Sequence, residues 1–265
     1  MDYALQKIPN CNLINLKDML DNGTVINGKA VDSPKSFLTA CTIATQIMAQ
    51  VACGQFGGQT TSLSHLAPYV RKSKQRYYEL LKDTIENKEE LDKVVDKLLK
   101  KEVASGVQTI QYQILTLATS NGQSPFVSLF MYLNEDEEVL KQRILGVKNE
   151  QGVYVSPSFP KLLYVLDENN VHKDSEYYYL TELAEKCLVK RIVPDFISAK
   201  KMKEYYDGEV FPCMGCRSFL SPFIDPTTGK YKWYGRQNLG VVTINLVDIA
   251  LTAKGDINKF WSIFD

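Results

Sequence analysis

Residues 211–223 read "FPCMGCRSFLSPF" and set two thiols, Cys213 and Cys216, three positions apart, with Met214 and Gly215 between them and Arg217 directly after. Such a pair could be half of a zinc site, a disulfide switch, or a third kind of sulfur chemistry. Structural zinc takes four ligands, commonly as two close pairs. No second pair exists here, and the only histidines, His65 and His172, stand alone. A thioredoxin-like motif opens a helix straight after a strand. This pair is followed by "RSFLSPF", with prolines on both sides, which reads as a loop. Ordinary buried thiols in a loop are the remaining reading, and the residues alone leave the choice open.

Other candidates are weaker. Asn121, Gly122, Gln123 and Ser124 form a polar turn ahead of an apolar run. Backbone N–H groups in such turns can hold phosphate, but this tract lacks a basic residue. Arg217 and Arg236 could neutralise phosphate or form structural ion pairs. His65 and Arg71, in "HLAPYVRKS", carry no role that residue type alone supplies.

The elements that must position these groups follow from periodicity. "NGTVINGKAV" is a short strand-like run between Asn/Gly turns. In "SPKSFLTACTIATQIMAQVACGQFGGQ", Ser33 can cap a helix with Pro34 in its first turn. Phe37, Ala40, Cys41, Ala44, Met48 and Val51 then share one face. The letters "FLTACTI" also tolerate a strand, so Cys41 could precede the helix. Residues 66–118 are mainly helical. Leu91, Val94, Val95, Leu98 and Leu99 form one stripe, and Glu89/Lys93 and Asp96/Lys100 have helix-pair spacing. This block is either a solvated hairpin or a dimer or effector surface. "FVSLFMYLN", "KLLYVLD" and "GVVTINL" are apolar enough for strands covered on both faces. Strands alternating with amphipathic helices predict an α/β domain with a parallel sheet.

Composition excludes several classes. The chain has 265 residues, 45% hydrophobic and 23% charged, with a formal net charge of zero. That balance gives no general attraction to nucleic acid or a membrane surface. No signal peptide and no apolar run long enough to span a bilayer are evident. Six scattered cysteines, Cys11, Cys41, Cys53, Cys187, Cys213 and Cys216, read as reduced cytoplasmic thiols, not a disulfide framework. At the C-terminus Asp256 can cap a helix bearing Ile257, Phe260, Trp261 and Phe264. Nothing in the sequence after them packs on that face, and the expectation is a chain that is part of something longer.

"PCMGCRSFL", "GRQNLGVVTINLVDIAL", "GTVINGKAVDSPKSFLTACTIATQIMAQVACGQFGGQ", "HLAPYVRKS" and "ATSNGQSPFVSLFMYLNE", in this order, resemble the catalytic barrel of the anaerobic, glycyl-radical ribonucleoside-triphosphate reductases. The resemblance implies an incomplete part of a ten-stranded α/β barrel with a helical hairpin insertion. It implies reduction of ribonucleoside triphosphates by thiyl-radical chemistry, with formate as reductant. Cys216 matches the radical-bearing cysteine, Cys41 the partner thiol on the barrel wall, and Asn238 the polar residue beside the ribose hydroxyls. Met214 matches a methionine near the thiyl site. Asn121, Gly122, Gln123 and Ser124 become candidate substrate contacts. No metal is expected in this chain. The resemblance further implies homodimers, deoxynucleotide or ATP effectors, and a separate activase using S-adenosylmethionine and an iron–sulfur cluster. The family's N-terminal ATP domain, and its C-terminal region with a four-cysteine zinc site and radical glycine, find no match between Met1 and Asp265. The alternatives are a split product inactive alone and, more weakly, a zinc module at Cys213/Cys216.

Overall fold

The computed structural model describes residues 8–118, 122, 124–132, 140–141, 147–148, 150–157, 159–240 and 243–265. Strand β1 (Cys11–Leu13) leads into helix α1 (Leu16–Asp21) and the hairpin β2 (Thr24–Ile26) and β3 (Lys29–Val31). Then come α2 (Phe37–Cys53), β4 (Gln59–Ser62), a 3-10 turn (Leu63–Leu66), α3 (Ala67–Leu81) and α4 (Lys88–Thr116). Strand β5 (Val127–Met131), the pair β6 (Val147–Lys148) and β7 (Tyr154–Val155), and β8 (Lys161–Leu166) follow. The C-terminal third holds α5 (Tyr178–Arg191), β9 (Asp195–Ser198), α6 (Ala199–Tyr205), β10 (Arg236–Asn238), α7 (Leu246–Ala253) and α8 (Ile257–Phe264).

Six strands form one sheet in the order β10-β1-β4-β5-β8-β9. The pairs from β1 to β9 are parallel, and β10 closes the edge antiparallel to β1. Parallel neighbours need crossovers, and helices supply them. Strands β5 and β8 are buried along nearly their whole length, as their unbroken apolar runs predict.

The sheet's two faces differ. Val127, Leu129, Met131, Leu162 and Tyr164 point to the helices and join Ala40, Ala44, Met48, Ile110 and Ile114 in the main core. Each such aliphatic side chain contributes about 1.5–3 kcal/mol on burial. Phe130, Leu163 and Val165 point the other way and meet Ala199 and Cys213. On that inner face lies the long excursion between α6 and β10.

Two local expectations need correction. Helix α2 is capped by Ser36, whose side chain accepts from the Thr39 N–H, so Ser33 is not the cap. Ser36 serves because its backbone is extended (φ −146°, ψ 161°), as a cap requires. The run "GVVTINL" is not a third strand among its described residues. The strand stops at Asn238, Asn245 caps α7 by accepting from the Asp248 N–H, and Val241 and Val242 lie outside the described residues. Asp256 caps α8 as anticipated, accepting from the N–H groups of Asn258 and Lys259. The Glu89–Lys93 pair forms at 2.6 Å, whereas Asp96 pairs with Lys74 of α3 at 3.1 Å. Among the described residues no helix is long and apolar enough to cross a membrane.

Candidate active site

The loop that carries the cysteine pair is held at its base by aromatic rings. Phe211 is fully buried, stacks on Trp233 at 4.1 Å and meets Tyr206 edge-on at 4.9 Å. From there the chain drops Cys213 into the inner-face cluster of Phe130, Leu163, Val165 and Ala199. A tight turn follows. The Arg217 N–H donates to the Met214 carbonyl at 2.8 Å, and the Met214 N–H donates to the Ser218 carbonyl at 2.8 Å. Arg217 sits at φ 71°, a conformation usual for glycine, and its guanidinium pairs with Asp195 on β9 and donates to the Gly215 carbonyl. Gly215 meets β5 closely: a Cβ there would lie 2.7 Å from Ser128 Oγ. Any side chain would lift the loop off the sheet.

This turn aims the two sulfurs apart. Cys213 is fully buried among apolar groups, and burial pushes its pKa up to about 12. Cys216 is exposed and lines a cleft of about 220 Å³ with Cys11, Gly58, Phe126, Ser128, Phe159, Lys161 and Gly215. A hydrogen bond from the Ser218 hydroxyl holds the Cys216 pKa below the ordinary thiol value, and the Lys161 charge acts in the same direction. Such divergent sulfurs do not form a chelating pair. Among the described residues no three His, Cys, Asp or Glu side chains cluster as metal ligands.

The cleft floor follows from strand register. Asn238 on β10 lies opposite Cys11 on β1, and its Oδ1 accepts from the Cys11 N–H at 2.7 Å. Two residues further along, Arg236, Leu13, Thr60, Ser128 and Lys161 form a single row across five strands. Phe126 and Phe159 stack at 4.7 Å beside the opening. Gly57 makes room for the Cys11 sulfur, since a Cβ there would meet Cys11 Sγ at 2.6 Å. Burial raises the Cys11 pKa, the Gly58 backbone N–H opposes this, and negative charge at Cys216 adds to the rise. One wall thus holds its proton tightly while the other gives it up more readily.

Cys41 is not in this cleft. It is fully buried in α2, on the helical side of the sheet, where its sulfur and the Phe37 ring crowd Gly106 of α4. Burial, then the Glu102 charge, raise its pKa. "FLTACTI" folds as helix because the Ser36 cap starts it, and this removes Cys41 from the barrel wall. The thiol that shares the cleft with Cys216 is that of Cys11. The residues gave one signal for it, a cysteine in a short apolar run near the start, "CNLINL", and nothing linked it to Cys216. Met214 is buried within the turn. Arg236 donates to the Ser221 carbonyl and keeps a second guanidinium nitrogen buried without a partner. His65 packs edge-on against Tyr234 at 4.6 Å. Of the polar turn, Gly122 is exposed at φ 74° and Ser124 donates to the Leu115 carbonyl at 3.2 Å. Asn121 and Gln123 lie outside the described residues.

Comparison with known proteins places the chain in a family. Residues 1–265 match the family described as anaerobic ribonucleoside-triphosphate reductase. The chain is 38% identical over 259 residues to the protein of that name from Enterobacteria phage T4, covering 91% of this chain and 41% of the phage protein. It is 34% identical over 266 residues to the Escherichia coli (strain K12) protein of that name, covering 97% of this chain and 36% of the relative. The chain thus spans about two fifths of the length of these relatives. In fold it is similar to the anaerobic ribonucleotide reductase of Thermotoga maritima in complex with dATP and CTP, with TM-score 0.61 at 16% identity over 98% of this chain and 43% of that one. A second structure of that enzyme, with glycerol in the active site, gives 0.62 at 14% identity, again over 98% of this chain and 42% of the other. The chain belongs to the anaerobic ribonucleoside-triphosphate reductase family.

Proposed function

We propose that this chain carries the sulfur site at which ribonucleoside triphosphates are reduced to deoxyribonucleoside triphosphates. The observation that supports it is the pairing of Cys11 and Cys216 across one cleft, with Asn238 bonded to the backbone at Cys11. In this reading Cys216, as a thiyl radical, takes the hydrogen atom from the ribose 3′ carbon. The 2′ hydroxyl leaves as water with the proton of the Cys11 thiol. Formate, oxidised to carbon dioxide, supplies the two electrons and the hydrogen that the 2′ carbon gains on that side, and a proton restores the thiol. Cys216 returns its hydrogen atom to the 3′ carbon to become a thiyl radical again. Asn238 holds a ribose hydroxyl. An amide cannot act as a strong base, which suits formate as the source of reducing equivalents. Met214, two residues from Cys216, shapes the turn that presents the sulfur. A glycyl radical, generated by an activase using S-adenosylmethionine and an iron–sulfur cluster, would supply the oxidising equivalent to Cys216. Cys216 suits that role because its sulfur stands at an exposed loop tip and not in the core.

The chain spans about two fifths of its relatives' length, which favours an activity that needs further protein, supplied in the same chain or by another. Homodimers and deoxynucleotide effectors are part of the same proposal. The effector part is supported by the dATP bound in the specificity site of a solved structural relative.

The test is a set of serine variants, assayed for deoxynucleotide with the radical-bearing region, activase, S-adenosylmethionine and formate present. Cys216→Ser and Cys11→Ser should abolish product while the chain stays folded. Cys41→Ser should retain turnover. A dispensable Cys11 beside an essential Cys41 would overturn the assignment of the second thiol.

A further inference from the structure

The loop that presents Cys216 is held unevenly along its length. Its outgoing arm is buried from Phe211 to Met214, and Arg217 pins the tip to Asp195. On the return arm Phe219 still packs against the inner-face cluster, but Ser221 to Ile224 are exposed. There the chain closes into a hairpin on itself. The Lys232 N–H donates to the Phe223 carbonyl and the Asp225 N–H to the Lys230 carbonyl, both at 2.9 Å. The Tyr231 hydroxyl donates to Asp207, just past α6 and off the sheet, at 2.7 Å. Among the described residues, the hydrogen bond that ties this arm to the sheet runs from the Arg236 guanidinium to the Ser221 carbonyl.

Arg236 stands two positions before Asn238 on β10, so both side chains project to the same face. Asn238 accepts from the Cys11 N–H at 2.7 Å. The strand itself is fixed to β1: the Gly235 N–H donates to the Leu13 carbonyl and the Asn10 N–H to the Asn238 carbonyl, each at 2.8 Å. One short strand therefore holds the backbone at one thiol and grips the arm five residues after the other. The grip is a charged one in a part-buried place, where one guanidinium nitrogen is buried without a partner. Hydrogen bonds from a charged donor are roughly twice as strong as neutral ones. We infer that Arg236 is a positioning residue: by gripping the Ser221 carbonyl from β10 it fixes how far Cys216 stands from Cys11 across the cleft. The importance of that gap for turnover rests on the function proposed above; the grip does not.

The test uses the full 265-residue chain as a molecular ruler. Bis-methanethiosulfonate reagents of graded spacer length bridge thiol pairs, and mass spectrometry of unreduced peptides counts the Cys11–Cys216 bridge, with single labelling of exposed Cys53 as the reference. The unaltered chain should favour one spacer. In Arg236→Met the bridge should spread over shorter and longer spacers, with Cys53 labelling unchanged. Arg236→Lys, which keeps a charged donor, should restore part of the preference. Arg236→Gln is shorter and uncharged, should behave as Arg236→Met, and carries the test if Arg236→Met melts early. In the enzyme completed with its radical-bearing region and activase, kcat should fall by up to about 10²-fold with KM little changed, the loss that a misplacement of about 1 Å can cause. A spacer preference in Arg236→Met and Arg236→Gln identical to the parent's would overturn the proposal, whatever happens to kcat. A spread preference with unchanged kcat would keep the grip and sink the function assigned to this thiol pair. No bridge at any spacer in the unaltered chain would sink both.

Discussion

Gly57→Ala puts the geometry behind Cys11 to a direct test. The added Cβ would stand 2.6 Å from the Asn10 carbonyl oxygen, 2.6 Å from Cys11 Sγ and 2.7 Å from Asn10 Oδ1. The first of these is backbone and cannot rotate away. Either the chain before β4 or the start of β1 must move, and both carry cleft residues. Overpacking of this kind costs about 1–3 kcal/mol. For a chain of this size 1 kcal/mol lowers Tm by about 2–4 °C, so the loss is about 2–12 °C. Gly54→Ala is the control. It lies three residues earlier at φ −110°, and its nearest neighbour would be the Val51 carbonyl at 3.7 Å. It should stay within about 0.5 kcal/mol of the parent. Thermal melts by circular dichroism give the stability, and iodoacetamide labelling of Cys11 gives the local effect. Labelling should quicken in Gly57→Ala only, because the sulfur is displaced and the Asn238 bond to the Cys11 N–H is stretched. A Gly57→Ala protein that melts with Gly54→Ala and labels Cys11 at the parent rate would refute the argument.

Across a pH series Cys216 should alkylate at lower pH than Cys11, and Cys213 and Cys41 only on unfolding, because the Ser218 bond favours the Cys216 thiolate and burial opposes the others; mass spectrometry of the labelled peptides checks the order. His65 is buried and its pKa falls from 6.5 to about 4, first through burial and then through the Lys17 charge, against the opposing pull of Asp21. The folded chain therefore refuses a proton that the unfolded chain accepts. The contribution of this group is complete above about pH 6.5, has dropped by about 2 kcal/mol at pH 5, and is exhausted below about pH 4. Melts of the parent and His65→Gln should converge in slope if any other group causes the decline, and His65→Gln should be the flatter if it does not. Asp195→Asn removes a half-exposed partner of Arg217, so the stability loss should be only about 0.5–1 kcal/mol. Labelling of Cys216 should still quicken, since its loop loses an anchor, and an unchanged rate would refute that anchoring role.

Long periodic elements were legible in the residues, and short or ambiguous ones were not. Helices α2, α3 and α4 carry apolar stripes, and β5 and β8 carry unbroken apolar runs, so each local pattern matches its final environment. The loop character of "PCMGCRS" was legible from its prolines. Which thiol faces the cleft was not, because that depends on the φ 71° turn at Arg217 and the close approach of Gly215 to β5. Cys41 was misplaced because "FLTACTI" satisfies helix and strand alike, and only the Ser36 cap and the packing on α4 decide between them. Cys11 was invisible as a site residue because β1 has three residues and its partners are remote. The polar row Thr60, Ser128 and Lys161 was equally hidden, since a row across strands is a property of register.

The bond between the Cys11 N–H and Asn238 spans 227 positions of sequence, whereas Asn12 reaches Gln55 across only 43. Closing the longer loop costs about 1.5 kcal/mol more in chain entropy. The strand that brings Asn238 is also translated after every other strand of the sheet. Contact order therefore sets a sequence of assembly in which the helical side and the parallel strands form early and β10 docks late. Until it docks, Cys11 lies on an open sheet edge and its surroundings differ little from those of any unpaired thiol. The contrast in proton affinity between Cys11 and Cys216 across the cleft therefore arises only once β10 has docked.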